Sequence, residues 1–151
     1  MSIGQPMANY AAAKRVGDWV LMSGIVAVDP RSQSVIQKYT DLPAEARASL
    51  KQLGYDTGQM SVDIFEAPVA VQSWYVLNRI RELAHEYGGE MSDVVKLVQY
   101  FTHLPDYSIY NRVRGLFYPA SPPVSTVVEV KNFLPGVEVR IEIEATMYLP
   151  S

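Results

Sequence analysis

Glu142 stands out among the residues able to do acid–base chemistry. It sits in the run Glu138 to Tyr148, where polar and apolar residues alternate strictly. A period of two puts Val139, Ile141, Ile143, Ala145 and Met147 on one face of a strand, and Glu138, Arg140, Glu142, Glu144 and Thr146 on the other. A mid-strand carboxylate there has two readings. It is one member of a solvated polar face, or, near a subunit boundary, a group that holds or activates a water. Two further positions carry a similar choice. Tyr10 is either hairpin packing or a ligand contact. Asn111 lies one turn after Tyr107, shares its helix flank, and is either a surface residue or a ligand donor.

Other chemistries are excluded by what the chain lacks. It has no cysteine, so thiol nucleophiles, disulfides and zinc ribbons are out. Its two histidines, His85 and His103, have no second histidine at i+3 or i+4 and no carboxylate cluster to complete a metal set. No Gly-x-Ser-x-Gly elbow, Gly-x-Gly-x-x-Gly loop or Walker loop occurs, so no nucleotide cofactor is expected. With 13 Lys+Arg against 16 Asp+Glu, the net charge of −3 offers no footprint for a phosphate backbone, and nucleic acid is not an expected partner. No apolar run reaches the roughly 20 residues that span a bilayer, and the first residues lack the pattern of a secretory signal. A cytoplasmic protein with no membrane partner is expected.

The elements that position these residues follow from periodicity and punctuation. Its 151 residues, 48% of them hydrophobic, suit one domain. Ala11–Arg15 and Trp19–Ser23 flank Val16-Gly17-Asp18 and predict a hairpin. Ser23-Gly24 then interrupts an apolar stretch that resumes at Ile25, which marks either a bulge or a close approach to the backbone. Leu42, Ala46, Leu50 and Leu53 predict a short helix capped by Asp41, with Pro43 in its first turn. Tyr55–Ser61 reads as a surface loop. A long helix is expected from about Ala67 to Tyr87, with Pro68 in its first turn and Gly88-Gly89 after it. Val94–Thr102 is a strand with apolar groups on both faces: Val95, Leu97 and Phe101 on one, Val98 and Tyr100 on the other. A third helix starts near Pro105-Asp106 and buries Ile109, Tyr110, Val113, Leu116 and Phe117. Strands at Val124–Val130 and Glu138–Tyr148 end the chain. The order predicts an α+β fold with a mixed sheet and helices on one face. The sheet's other face then needs a cover, and a ring of identical subunits supplies one.

Several segments resemble the reactive intermediate deaminase (Rid) family, also called YjgF-like or endoribonuclease L-PSP-like. They are Tyr10 with Val16-Gly17-Asp18 and Met22-Ser23-Gly24, then Val28-Asp29-Pro30, Asp93-Val94-Val95-Lys96, Leu104-Pro105-Asp106-Tyr107 with Asn111, and Leu134-Pro135 with Val139–Ala145. The resemblance spans about residues 8–148, apart from an inserted stretch near 35–61 that holds the extra short helix. It implies a single domain over 1–151 of chorismate-mutase-like, YjgF-like fold, and a homotrimer with a small-molecule cleft between neighbouring subunits. It further implies a cofactor-independent hydrolysis of an enamine or imine to a carbonyl compound and ammonia. Glu142 then takes the catalytic position, and Tyr10, Ser23, Gly24, Tyr107, Asn111, Val124, Ser125 and Thr126 take substrate-binding positions.

One departure bears on substrate. The family pattern Pro-x-Arg-Ser-(Thr/Cys)-Val reads here Pro122-Pro123-Val124-Ser125-Thr126-Val127, so valine stands where the family's arginine grips a carboxylate. Losing one charge-assisted bond costs roughly 1.5–3 kcal/mol, about 10- to 150-fold in binding. Arg112, Arg114, Arg140 and Lys131 are the cations available to substitute from a neighbour, and the sequence places none of them in the cleft. Two readings follow: a hydrolase acting on a neutral or differently anchored imine, or a non-catalytic trimer that binds or senses a small metabolite.

Overall fold

The computed structural model describes residues 8–150. Strands β1 (Ala13–Val16), β2 (Trp19–Met22), β3 (Ile25–Val26), β4 (Val94–Phe101), β5 (Val124–Glu129) and β6 (Ile141–Tyr148) form one sheet with helices α1 (Ala44–Gln52), α2 (Met60–Glu86) and α3 (Tyr107–Phe117). The sheet order is β1-β2-β6-β4-β5, with β3 also paired to β6. Only β4 and β5 run parallel; the other pairs are antiparallel. A parallel pair needs a crossover, and α3 supplies it. At the β1–β2 turn Gly17 takes φ +60, the left-handed region that costs glycine nothing.

The alternation in β6 sets the two faces. Ile141, Ile143, Ala145 and Met147 are buried, and with Leu97, Phe101, Val20 and Met22 they pack beneath the helices. α2 contributes Ala70, Trp74, Leu77 and Ile80 to this layer, and α3 contributes Tyr110 and Val113. The other face has no helix over it. Trp19, Leu21, Val124, Val128 and Tyr148 stand on it exposed, beside Glu142, Glu144 and Thr146 of β6. An open face this apolar is what the sequence led us to expect.

The ends of two elements are fixed by polar anchors. Gln72 of α2 is fully buried; its Nε2 donates to the Glu138 carbonyl at 2.8 Å and its Oε1 accepts from the Arg140 amide at 2.8 Å. Arg140 Nη2 donates to Asp106 Oδ2 at 2.8 Å, tying the entry of β6 to the start of α3. These bonds hold the backbone two residues upstream of Glu142.

Four expectations need correction. α2 starts at Met60, not near Ala67, so residues 60 and 61 are helical and Pro68 lies well inside the helix. The first turns were illegible because Met60, Ile64 and Phe65 point to solvent and leave no core-facing period. The cap of α1 is Pro43, while Asp41 Oδ2 accepts the amides of Gln37 and Lys38 instead. Val95 falls at a register shift between Val94 and Lys96 and is exposed, so it does not share the face of Leu97. Leu116 is likewise exposed.

Candidate functional site

The candidate residues divide into two groups on opposite faces of the sheet. On the open face, Glu142 pairs in register with Tyr100 of β4 and Val26 of β3. Its carboxylate lies against Gly24: a methyl group added there would stand 2.7 Å from Glu142 Oε2 and 2.9 Å from Cδ. The interruption of the apolar run at Gly24 is therefore a close approach, and the approaching group is the carboxylate. Burial, then the charge of neighbouring Glu144, push the Glu142 carboxyl above the usual carboxylate range. Tyr100 donates to Glu144 Oε1 at 2.6 Å, and this bond, with burial, pushes its hydroxyl up to about 12. Glu144 is thus occupied, whereas no hydrogen bond to the Glu142 carboxylate exists among the described residues. It is available to a ligand or a water.

Gly24 gives a direct test. Gly24→Ala forces the Glu142 carboxylate aside; the obstacle is the far end of a flexible side chain, so the fold gives way there cheaply. We expect unfolding stability within about 1 kcal/mol of wild type, yet a loss in any Glu142-dependent turnover on the order of 10²-fold, checked by parallel melts and kinetics.

The second group surrounds a guanidinium that sequence reasoning did not place. Arg114 Nη1 donates to Gln99 Oε1 at 2.7 Å and to Ser125 Oγ at 3.0 Å. Its Nη2 donates to Asn111 Oδ1 at 2.8 Å and to the Tyr107 hydroxyl at 3.1 Å. The Tyr107–Asn111 flank and Ser125 are brought together by Arg114. The other three cations are elsewhere: Arg140 on Asp106, Arg112 on Tyr55 and the Leu53 carbonyl, and Lys131 on the surface. The signal that would have pointed to Arg114 is Gln99. It is a polar residue on the buried face of β4, between Leu97 and Phe101, and a buried amide must find partners.

The remaining candidates are spread out. Ser23 Oγ is committed to the Ala11 carbonyl at 2.6 Å. Tyr10 is exposed near the start of the described residues. Val124 is 66% exposed on the open face, and Thr126 uses its carbonyl to accept from Gln99 Nε2 at 2.9 Å. Within one chain the two groups do not meet. Ser125 pairs with Leu97 and so lies three residues along the sheet from the Tyr100–Glu142 row, two strands away from β6. Strand geometry makes that roughly 10 Å along and roughly 10 Å across, with the sheet between them.

Among the described residues no group of His, Cys, Asp and Glu could hold a metal ion, and no helix is long and apolar enough to cross a membrane. A cavity of about 450 Å³ opens near Trp74, Tyr75, Arg79 and Asp29, and no candidate residue lines it.

Comparison with known proteins shows what this chain is similar to. Residues 52–148 match the family model of endoribonuclease L-PSP. A RutC family protein of Pyrococcus abyssi is 26% identical over 144 residues, which is 95% of this chain and 89% of that protein. A solved Klebsiella pneumoniae protein, provisionally described as an endoribonuclease, is 47% identical with a TM-score of 0.87, covering 93% of this chain and 100% of its own. The YjgF gene product of E. coli shares the fold at a TM-score of 0.68 and 22% identity, over 96% of this chain and 91% of that one.

Proposed function

This chain belongs to the endoribonuclease L-PSP family, which also carries the RutC and YjgF (Rid) names, and on that premise we propose that it is a homotrimer hydrolysing an enamine or imine to a carbonyl compound and ammonia. The observation that carries the reading is Glu142: a half-buried carboxylate with no hydrogen-bond partner among the described residues, on a sheet face that no described helix covers, where burial and the Glu144 charge push it above the usual carboxylate range. Three copies arranged in a ring cover that face and put a cleft at each seam. There the Glu142 face of one copy meets the Arg114 edge of its neighbour.

The chemistry then balances without an added reagent. An enamine first tautomerises to the imine, gaining a proton on carbon and losing one from nitrogen, and the imine carbon is electrophilic. Water held by Glu142 attacks that carbon; a C–O bond forms and Glu142 accepts the water proton. Glu142 passes that proton to nitrogen to give the neutral carbinolamine; the hydroxyl proton then moves to nitrogen through the same carboxylate, the C–N bond breaks, and ammonia leaves as the carbonyl forms. A pKa above the ordinary carboxylate range favours both halves of that transfer.

The test is to generate 2-aminoacrylate and 2-iminobutanoate in situ and to measure ammonia release. Wild type is expected to accelerate release over buffer. A second reading, a trimer that binds or senses a metabolite without turnover, draws on Val124 in the arginine position and on the Ser23 hydroxyl being spent on Ala11. Ligand binding with no acceleration of either imine selects it. Cleavage of RNA is disfavoured by the net charge of −3.

A further inference from the structure

The hydrogen bonds around Arg114 have a fixed polarity, and that polarity starts at a buried amide. Gln99 is fully buried, and its Oε1 accepts from the Tyr110 hydroxyl at 2.6 Å and from Arg114 Nη1 at 2.7 Å. Both lone pairs of that oxygen are filled, so the amide nitrogen must face the other way. It does, donating its two protons to Ser125 Oγ at 2.9 Å and to the Thr126 carbonyl at 2.9 Å, with the Leu97 carbonyl farther off at 3.3 Å.

Ser125 Oγ therefore receives two donors, Gln99 Nε2 and Arg114 Nη1. With both its lone pairs used, its own proton has to leave the cluster. Tyr107 and Asn111 are set in the same sense. Each gives an oxygen to Arg114 Nη2, which leaves the Tyr107 O–H and both Asn111 N–H groups without an acceptor among the described residues. Ser125 and Asn111 are exposed and Tyr107 is half-buried, so these protons are open to a ligand. The four side-chain partners of Arg114 among the described residues are neutral, and neither the Arg47–Asp56 nor the Arg140–Asp106 ion pair involves it. The result is a guanidinium with no carboxylate partner among the described residues, beside which Ser125, Tyr107 and Asn111 hold unspent protons. Water satisfies such a cluster only in part; a negatively charged oxygen satisfies both its charge and its protons.

We propose that Arg114, Ser125, Tyr107 and Asn111 form an anion site for a ligand carboxylate, and that Gln99 is the positioning residue that holds the site in its donating state. The assignment of a carboxylate as the anchoring group of the substrate rests on the hydrolase reading; the anion site itself does not. The cation is not at the position of Val124, which faces the open side of the sheet; it comes from α3 to the opposite face, beside Ser125.

The experiment reads binding, so it needs no turnover. Glu142→Gln protein is titrated with 2-oxobutanoate and with its neutral counterpart butan-2-one, following the Asn111 side-chain amide and the Arg114 Nε signals by NMR. 2-Oxobutanoate is expected to shift both signals, and butan-2-one neither. Arg114→Met should weaken 2-oxobutanoate binding about 10- to 100-fold. Gln99→Glu should do the same for a different reason. The new carboxylate pairs with Arg114, cancels its charge and turns the Ser125 proton inward. Should Gln99→Glu fail to fold, Asn111→Asp replaces two donors by an acceptor at an exposed position, and the same loss is expected. Undiminished 2-oxobutanoate binding in Arg114→Met and Asn111→Asp, or equal binding of butan-2-one, overturns the site. Anion binding intact with no ammonia release from wild type leaves the site standing and removes the hydrolase reading instead.

Discussion

Replacing Glu142 by glutamine is expected to lower ammonia release from 2-iminobutanoate by about 10²- to 10⁴-fold, the range for losing a positioned acid–base group. The amide keeps the shape that packs on Gly24 but can neither accept the water proton nor return it to nitrogen, so the melting temperature should hardly move. The pH profile adds a second signature. Burial and the Glu144 charge keep the Glu142 carboxyl protonated to a higher pH than an ordinary carboxylate. The proposed mechanism needs the ionised form, so its acid limb should fall above the usual carboxylate range. Glu144→Gln removes the neighbouring charge but not the burial. That variant should move the limb to lower pH while remaining active. A limb that stays in place would mean that Glu144 does not influence the catalytic group.

The largest stability effect is expected at Gln72. Gln72→Leu keeps the volume but strips both bonds from the backbone at Glu138 and Arg140. Leaving such groups unpaired in a part-buried setting costs about 2–4 kcal/mol. For a chain of this size that is a fall of roughly 5–15 °C in melting temperature. Because Arg140 leads into β6, its ion pair with Asp106 should loosen too, and hydrogen exchange at Ile141 and Glu142 is the place to see it. An unchanged melt would show that water replaces the amide at no cost.

The parts of this fold that were legible in the sequence are those where burial is periodic. β6 alternates without a break from Ile141, although the strand does not reach back to Glu138 and leaves Glu138 and Arg140 outside it; the β1–β2 turn carries its glycine, and α2 shows its stripe from Val76 to Ala84. The start of α2 was not legible, because its first turns bury little and Pro68 looked like a first-turn residue. Glu142 could be singled out from the alternation and the family resemblance, and Gly24 from the broken apolar run, though what approaches that glycine is a matter of tertiary packing. Arg114 was one of four candidate cations and nothing local distinguished it. Its partners come from β4, β5 and α3, with Gln99 and Ser125 separated from it by 15 and 11 residues. Only the packing of α3 across the β4–β5 edge brings them together. The clue was the misplaced polarity of Gln99.

What joins these observations is the claim that a working site takes Glu142 from one copy and Arg114 from another. Glu142→Gln and Arg114→Met can be co-expressed at equal levels, so that the proposed trimers assemble as an unselected random mixture of the two chains. In a random mixture about one quarter of seams join an intact Glu142 to an intact Arg114. Ammonia release from 2-iminobutanoate at limiting substrate should then recover to about one quarter of the wild-type rate, far above either variant alone. Mixed trimers no more active than the average of the two variants would contradict the account.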